Sequence, residues 1–122
     1  MPPQKVNFSE KLGLFSEQWT PKLIGEINDH DIKIAKIQGE FTWHHHADSD
    51  EYFYVVSGTL LMQFRDGDVT VNTGEIIVVP AGVAHKPVAH DECHIVMIEK
   101  RGTVNTGSAT DDERTVETLE SL

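Results

Sequence analysis

The sequence predicts an all-β domain, a sandwich or a barrel, and three observations predict it. Short apolar segments rich in Ile, Val, Phe and Tyr follow one another from Lys22 onward. They are separated by "NDHD" from Asn28, "RDGD" from Arg65 and "NTG" from Asn72, and Asn, Asp and Gly tolerate the positive φ that hairpin turns need. No helical pattern intervenes between them, so the pairing is antiparallel rather than that of a parallel α/β sheet. A repeat of the length used by propellers and solenoids is absent.

The elements follow in order. After a loose start, "SEKLGLFSEQW" offers Ser9 as a helix cap and sets Leu12, Phe15 and Trp19 on one face of a short helix. Gly13 weakens that helix and Pro21 stops it, so residues 1–21 form an N-terminal extension. Residues 22–102 carry the strands: "KLIGEI", "IKIAKI", "EYFYVV", "LLMQF", "VTV", "EIIVV" and "HIVMIE". From Thr103 the chain turns polar, with five acids (Asp111, Asp112, Glu113, Glu117, Glu120) against one base, Arg114. Residues 103–122 read as a solvated, partly mobile acidic tail, in which Val116 and Leu119 at helical spacing could let one turn dock.

With 122 residues the chain encloses one core, so any chemistry sits on a single scaffold. The net charge of -10 excludes nucleic acid and anionic membrane surfaces as partners, because both are bound through clustered Lys and Arg. Cys93 stands alone, which rules out a disulfide within the chain and points to a reducing cytoplasm; it reads as a small buried side chain. No apolar run is long enough for a signal peptide or a membrane span.

The stretch "WHHHADSDE" carries the first candidate chemistry. Taken alone, three consecutive histidines fit a metal site, a fragment of a purification tag or a polar loop; this triplet is internal and flanked by strand-like sequence, unlike a tag. In extended chain, His44 and His46 project to one side and His45 and Trp43 to the other. "ADSD" breaks the strand and resets its register, so Glu51 can rejoin the face of His44 and His46. Further on, "GEIIVVPAGVAH" ends an apolar strand in Pro-Ala-Gly and delivers His85 just after the turn. Three imidazoles and one carboxylate suit Fe(II), Mn, Ni, Co, Cu or Zn better than calcium or magnesium. On an octahedral ion they leave two positions open.

Both segments match, in order and spacing, the two motifs of the cupin superfamily, which the chain closely resembles. The first runs from Gly39 through His44, His46 and Glu51 to Gly58; the second runs from Gly74 through Pro80 and Gly82 to His85. The resemblance covers roughly residues 32 to 98, with a short intervening segment as in compact bacterial cupins. Two departures stand out: four residues rather than five separate Gly39 from His44, and Ala89 replaces an asparagine that often follows the second motif. The resemblance implies a jelly-roll barrel, or double-stranded β-helix, in which His44, His46, Glu51 and His85 bind one divalent transition metal.

Around that ion the inward candidates are Phe53 and Val55 beside Glu51, with Met62 and Phe64 from the next strand. His94 alternates with Val96 and Ile98 and is a candidate acid or base in the cavity, though a structural histidine is an equal reading. His45 should face away from the ligands, and His30 and His90 lie in loops. Two functions follow: a metalloenzyme acting on a small oxygenated molecule, a sugar or organic acid, by isomerase, lyase or oxygenase chemistry; or a sensor or carrier that binds a small ligand without turnover. Relatives loosely described as sugar-phosphate isomerases look similar, yet Lys86 beside His85 is the only cation that sequence places near the ligands. Exposed sheet edges, with Trp19 or the outward Tyr52 and Tyr54, are expected to build a homodimer.

Overall fold

The computed structural model describes residues 1–122. One short helix, α1 (Phe8–Leu12), precedes eight strands: β1 (Lys22–Ile27), β2 (His30–Glu40), β3 (Glu51–Ser57), β4 (Thr59–Phe64), β5 (Gly67–Asn72), β6 (Ile76–Val79), β7 (His85–Lys100) and β8 (Glu120–Ser121). The strands run β5-β4-β7-β2-β1-β8, and β3 pairs with both β6 and β7. The all-β jelly-roll expectation holds.

The long strand β7 closes the barrel. Its first part pairs with β4 (Phe64↔His85, Leu61↔Val88) and its second part with β3 (Phe53↔Met97, Val55↔Ile95). All along, β2 lies on its other side, from His30↔Lys100 to Glu40↔Val88. The register shifts between Ile37 and Gly39, where Gly39 takes a φ of 86° and lets β2 bend with its partner. Opposite that bend, His90, Asp91 and Glu92 are exposed in mid-strand. That polar interruption hides a single 16-residue strand behind the two pieces that the pattern indicates.

Two apolar clusters result from the two faces of the sheet. Ala35, Ile37, Phe53, Val55, Leu60, Met62, Ile95 and Met97 fill the interior. Ile34 and Val96, which point outward, are covered by Phe15, with Phe8 and Leu12 of the N-terminal segment beside them. Burying this second face explains why isoleucines occupy both sides of β2.

Two expectations about the ends are corrected. The helix is capped by Asn7, whose Oδ1 accepts from Glu10 N at 3.0 Å, not by Ser9, and it ends at Gly13. It is therefore too short to carry Phe15 and Trp19 on one face: Phe15 joins the outer cluster, while Trp19 packs against the inner one. Residues 103–122 hold no helix and fold back on the barrel. The Asn105 side chain donates to Arg114 O at 2.9 Å and accepts from Val116 N at 2.8 Å. Thr106 is fully buried. β8 pairs in parallel with Lys22 and Leu23 of β1. Polar side chains, which the pattern reads as solvation, here replace apolar ones as the glue of this strap.

Candidate metal centre

The backbone brings the two histidine segments face to face. His44 and His85 exchange a reciprocal pair of main-chain hydrogen bonds, at 3.0 and 2.9 Å. Gly82 N donates to His46 O at 2.8 Å, tying the Pro-Ala-Gly turn to the same segment. The intervening loop is held as well: Asp50 Oδ1 accepts from Ala81 N at 2.9 Å, and Ser49 Oγ accepts from Lys100 N at 3.0 Å. β3 then opens with Glu51 facing the interior.

His44, His46, Glu51 and His85 converge, each at most 6% exposed, with one donor atom from each lying within 4.8 Å of all the others. Donors on opposite sides of an ion held at about 2.1 Å stand about 4.2 Å apart, so only small inward shifts would close the set on a metal. His45, as the alternation requires, is exposed.

The hydrogen bonds around the rings test the fit to a cation. His44 Nδ1 donates to Thr42 O and His85 Nδ1 to Val83 O, both at 2.9 Å. A carbonyl can only accept, so these bonds place the protons on Nδ1 and leave each Nε2 lone pair free, as in metal-binding histidines. Yet His85 Nε2 lies 3.0 Å from Glu51 Oε1. Two acceptors at that distance in a buried site need a positive charge, from a proton or an ion between them. His46 Nε2 stands 3.2 Å from Glu51 Oε2, but the angle makes no hydrogen bond and the nitrogen is buried without a partner. The donor set fits a divalent transition metal.

The electrostatics favour a neutral His44 beside an ionised Glu51. Burial, and then the neighbouring His85 ring, push the His44 value down to about 4. Burial alone would raise Glu51, but the adjacent His46 and His85 rings outweigh it and hold its carboxyl below the usual range. Because folded His44 binds its proton less readily than unfolded His44, the unfolded chain holds more protons between these values. Stability therefore rises with pH across that window and is lost as pH falls from the ordinary 6.5 towards about 4. The metal-free protein is expected to lose about 3 kcal/mol over this interval, and His44→Gln to flatten the slope, as urea unfolding across it would report.

Behind the ligands lies a charged pair that sequence reasoning missed. Lys33 Nζ donates to Glu99 Oε1 at 2.8 Å and to Thr103 O at 3.1 Å, and the two side chains are 4% and 0% exposed. Burial first, and then the neighbouring Glu51 charge, push Glu99 well above the usual carboxylate range. Glu99 Oε2 has no partner.

The cavity in front of His44 and Glu51 is small, about 40 Å³. Of the expected lining, Phe53 is there; Val55 and Met62 are fully buried in the core and Phe64 packs against it, and none of these three reaches the cavity. Trp19, Ile37, Phe41, Ile95 and Met97 line it instead. His94 does not: β7 turns Cys93, Ile95 and Met97 inward, so His94 faces outward, its Nδ1 3.1 Å from Ser57 Oγ. His90 is fully exposed, and His30 sits 2.8 Å from Asp29.

The strap completes the mouth. Phe41 stacks on Trp19 at 4.7 Å between centroids, and the Arg114 guanidinium lies 4.6 Å from the Phe41 ring. Arg114 is held by Asp112, whose carboxyl it pulls down to about 2. Ser108 N donates to His45 O at 3.0 Å, and His45 N to Ser108 Oγ at 3.1 Å.

Known proteins place this arrangement. The chain is 36% identical over 89 residues to YdbB of Bacillus subtilis, a match covering 64% of this chain and 79% of that one. A crystal structure of a cupin-2 domain containing protein from Shewanella frigidimarina superposes with a TM-score of 0.78 at 50% identity, covering 79% of this chain and 94% of that one. The protein NMB1881 from Neisseria meningitidis gives 0.74 at 32% identity, covering 80% and 99%. Residues 32–99, which hold both histidine segments and the strands between them, match the cupin domain family, and this chain belongs to it.

Proposed function

We propose that this cupin is a metal-dependent enzyme acting on a small oxygenated molecule, with His44, His46, Glu51 and His85 as the ligands of one divalent transition metal. The observation that carries the reading is the convergence of four buried donors, with the protons of two of the three imidazoles, His44 and His85, fixed on the far nitrogen. A metal there would act as a Lewis acid on a carbonyl or hydroxyl oxygen at its open positions. The residues supply the rest: Thr42 O and Val83 O orient two of the rings, Glu51 lowers the net charge, and the apolar wall excludes water.

Elemental analysis of protein purified without a tag, followed by an oxygen-uptake screen if iron is found, tests this directly. His46→Ala should lose both metal and turnover; unchanged turnover in that metal-poor variant would end the reading. Ligand affinity without turnover in the intact protein would make it a carrier instead.

No helix is long and apolar enough to cross a membrane, and the lone buried Cys93, its thiol pushed up to about 11 by burial, fits a reducing cytoplasm. We also propose a homodimer. β6 pairs with β3 alone, and Ile76 and Val78 on it are 54% and 51% exposed beside Tyr54 and Tyr52. An apolar sheet edge of this kind pairs with another copy unless something blocks it. Trp19, engaged in the cavity, is not part of that surface. Light scattering should report twice 13.7 kDa, and Ile76→Glu with Val78→Glu should return the single-chain mass.

A further inference from the structure

A second cavity, of about 230 Å³, lies under the strap and is lined by none of His44, His46, Glu51 and His85. Pro21 and, from the start of β2, Asp31 and Lys33 line it on the barrel side, and Val116 and Leu119 on the strap side.

Strand register explains how a carboxylate comes to stand there without a partner. Glu26, Asp31 and Glu99 lie directly opposite one another across β1, β2 and β7, so three acids share one face of the sheet. Like charges so placed repel. Two of the three are balanced: Lys33 Nζ donates to Glu99 Oε1 at 2.8 Å, and Arg101 Nε stands 3.7 Å from Glu26 Oε1. Both cations have a second engagement away from Asp31, Lys33 with Thr103 O at 3.1 Å and Arg101 with Asn28 O at 3.2 Å. Asp31, in the middle of the row, is 4% exposed and borders the cavity. No hydrogen bond or ion pair within the chain reaches its carboxylate.

Holding a buried carboxylate without a partner is costly, and one that opens on a cavity can be satisfied by what enters. An entering cation meets this one free acceptor and few others, since Asn105 Oδ1 already accepts from Val116 N and Thr103 O from Lys33. A bare metal ion, which needs about six oxygens, is poorly served. An ammonium group on a short apolar body fits better: a charge-assisted hydrogen bond fixes its head, and Pro21, Val116 and Leu119 receive the rest. Glu117, also on the lining, and the net charge of -10 add attraction for it.

We propose that the cavity beneath the strap is a second binding site, which takes a small primary ammonium ion on the Asp31 carboxylate with its apolar body against Val116 and Leu119.

The test titrates the full chain with n-butylammonium, followed by calorimetry and by the methyl NMR signals of Val116 and Leu119. Binding should saturate and shift those signals, at least about tenfold tighter than butan-1-ol, which has the same body without the charge. Affinity should be the same with and without a chelator, which separates this site from the metal centre, where a free amine could coordinate an ion. Asp31→Asn should weaken the ammonium by about 10- to 100-fold and leave butan-1-ol unchanged. Leu119→Trp keeps the carboxylate, narrows the cavity and should weaken both ligands; it carries the test should Asp31→Asn fail to fold. Equal binding of alcohol and ammonium, no saturation, displacement by potassium at equal concentration, or indifference to the two substitutions would overturn the inference. Loss of binding on chelation would assign the amine to the metal centre and overturn it as well.

Discussion

Glu51→Gln is expected to reduce metal affinity by at least about 100-fold while leaving the fold in place. Changes to groups that merely orient metal ligands already lower affinity by roughly 10- to 100-fold, and Glu51 is the only anionic donor in the set. Glutamine keeps the volume and removes the charge, so the His44 and His85 rings remain positioned by their backbone partners. The metal-free variant should be somewhat less stable than the metal-free parent at neutral pH, because the folded site favours the Glu51 carboxylate through the neighbouring rings and glutamine loses that contribution. Adding metal separates the two proteins. At 100 times its dissociation constant an ion stabilises the parent by about 2.7 kcal/mol. Thermal unfolding with and without metal should show that gain in the parent and lose it in Glu51→Gln.

The second large effect is in the pair behind the site. Lys33→Met leaves Glu99 buried without its cation and is expected to cost about 3–5 kcal/mol, or roughly 10–20 °C in Tm for a chain of this size. Without Lys33, Glu99 avoids the penalty by holding a proton, so the folded state binds more protons than the unfolded one above the ordinary carboxylate value. Stability of the variant should therefore fall as pH rises, more steeply than in the parent. Lys33→Met combined with Glu99→Met removes both charges together and should recover most of the loss. Calorimetric melts of the two variants across pH check both statements; equal Tm values for single and double variant would refute the buried-pair account.

How much of this was legible depends on how local the determinants are. His44 and His46 differ from His45 by alternation alone, and the turn at Pro80 to Gly82 delivers His85 within a few residues, so the four residues that cluster can be read from short segments. Fold class followed from turn chemistry, which is equally local. What failed needed the partner strand. His94 shares a face with Val96 and Ile98 as the alternation says, but only the register Phe53↔Met97 and Val55↔Ile95 reveals that this is the outer face. Lys33 and Glu99 look like solvent-facing charges within "IKIAKI" and "MIEK"; they are interior because they hydrogen-bond one another between β2 and β7. The cavity wall was misread for a related reason: Val55 and Met62 do point inward, but deeper than the ligands, where side chains already fill the barrel.

The strap at the far end of the chain is locked to the His45–His46 segment with no room to spare. At Gly107, which has a φ of 51°, even a methyl group would collide with the backbone carbonyl of His45 and crowd His46 Nδ1. Two processes that a one-dimensional reading keeps separate, loading an ion at residues 44–85 and seating the last twenty residues, thus share a thermodynamic cycle. By reciprocity, whatever free energy a seated strap lends to the ion, a bound ion returns to the strap. Protease resistance of the C-terminal segment is thereby a gauge of occupancy at the centre.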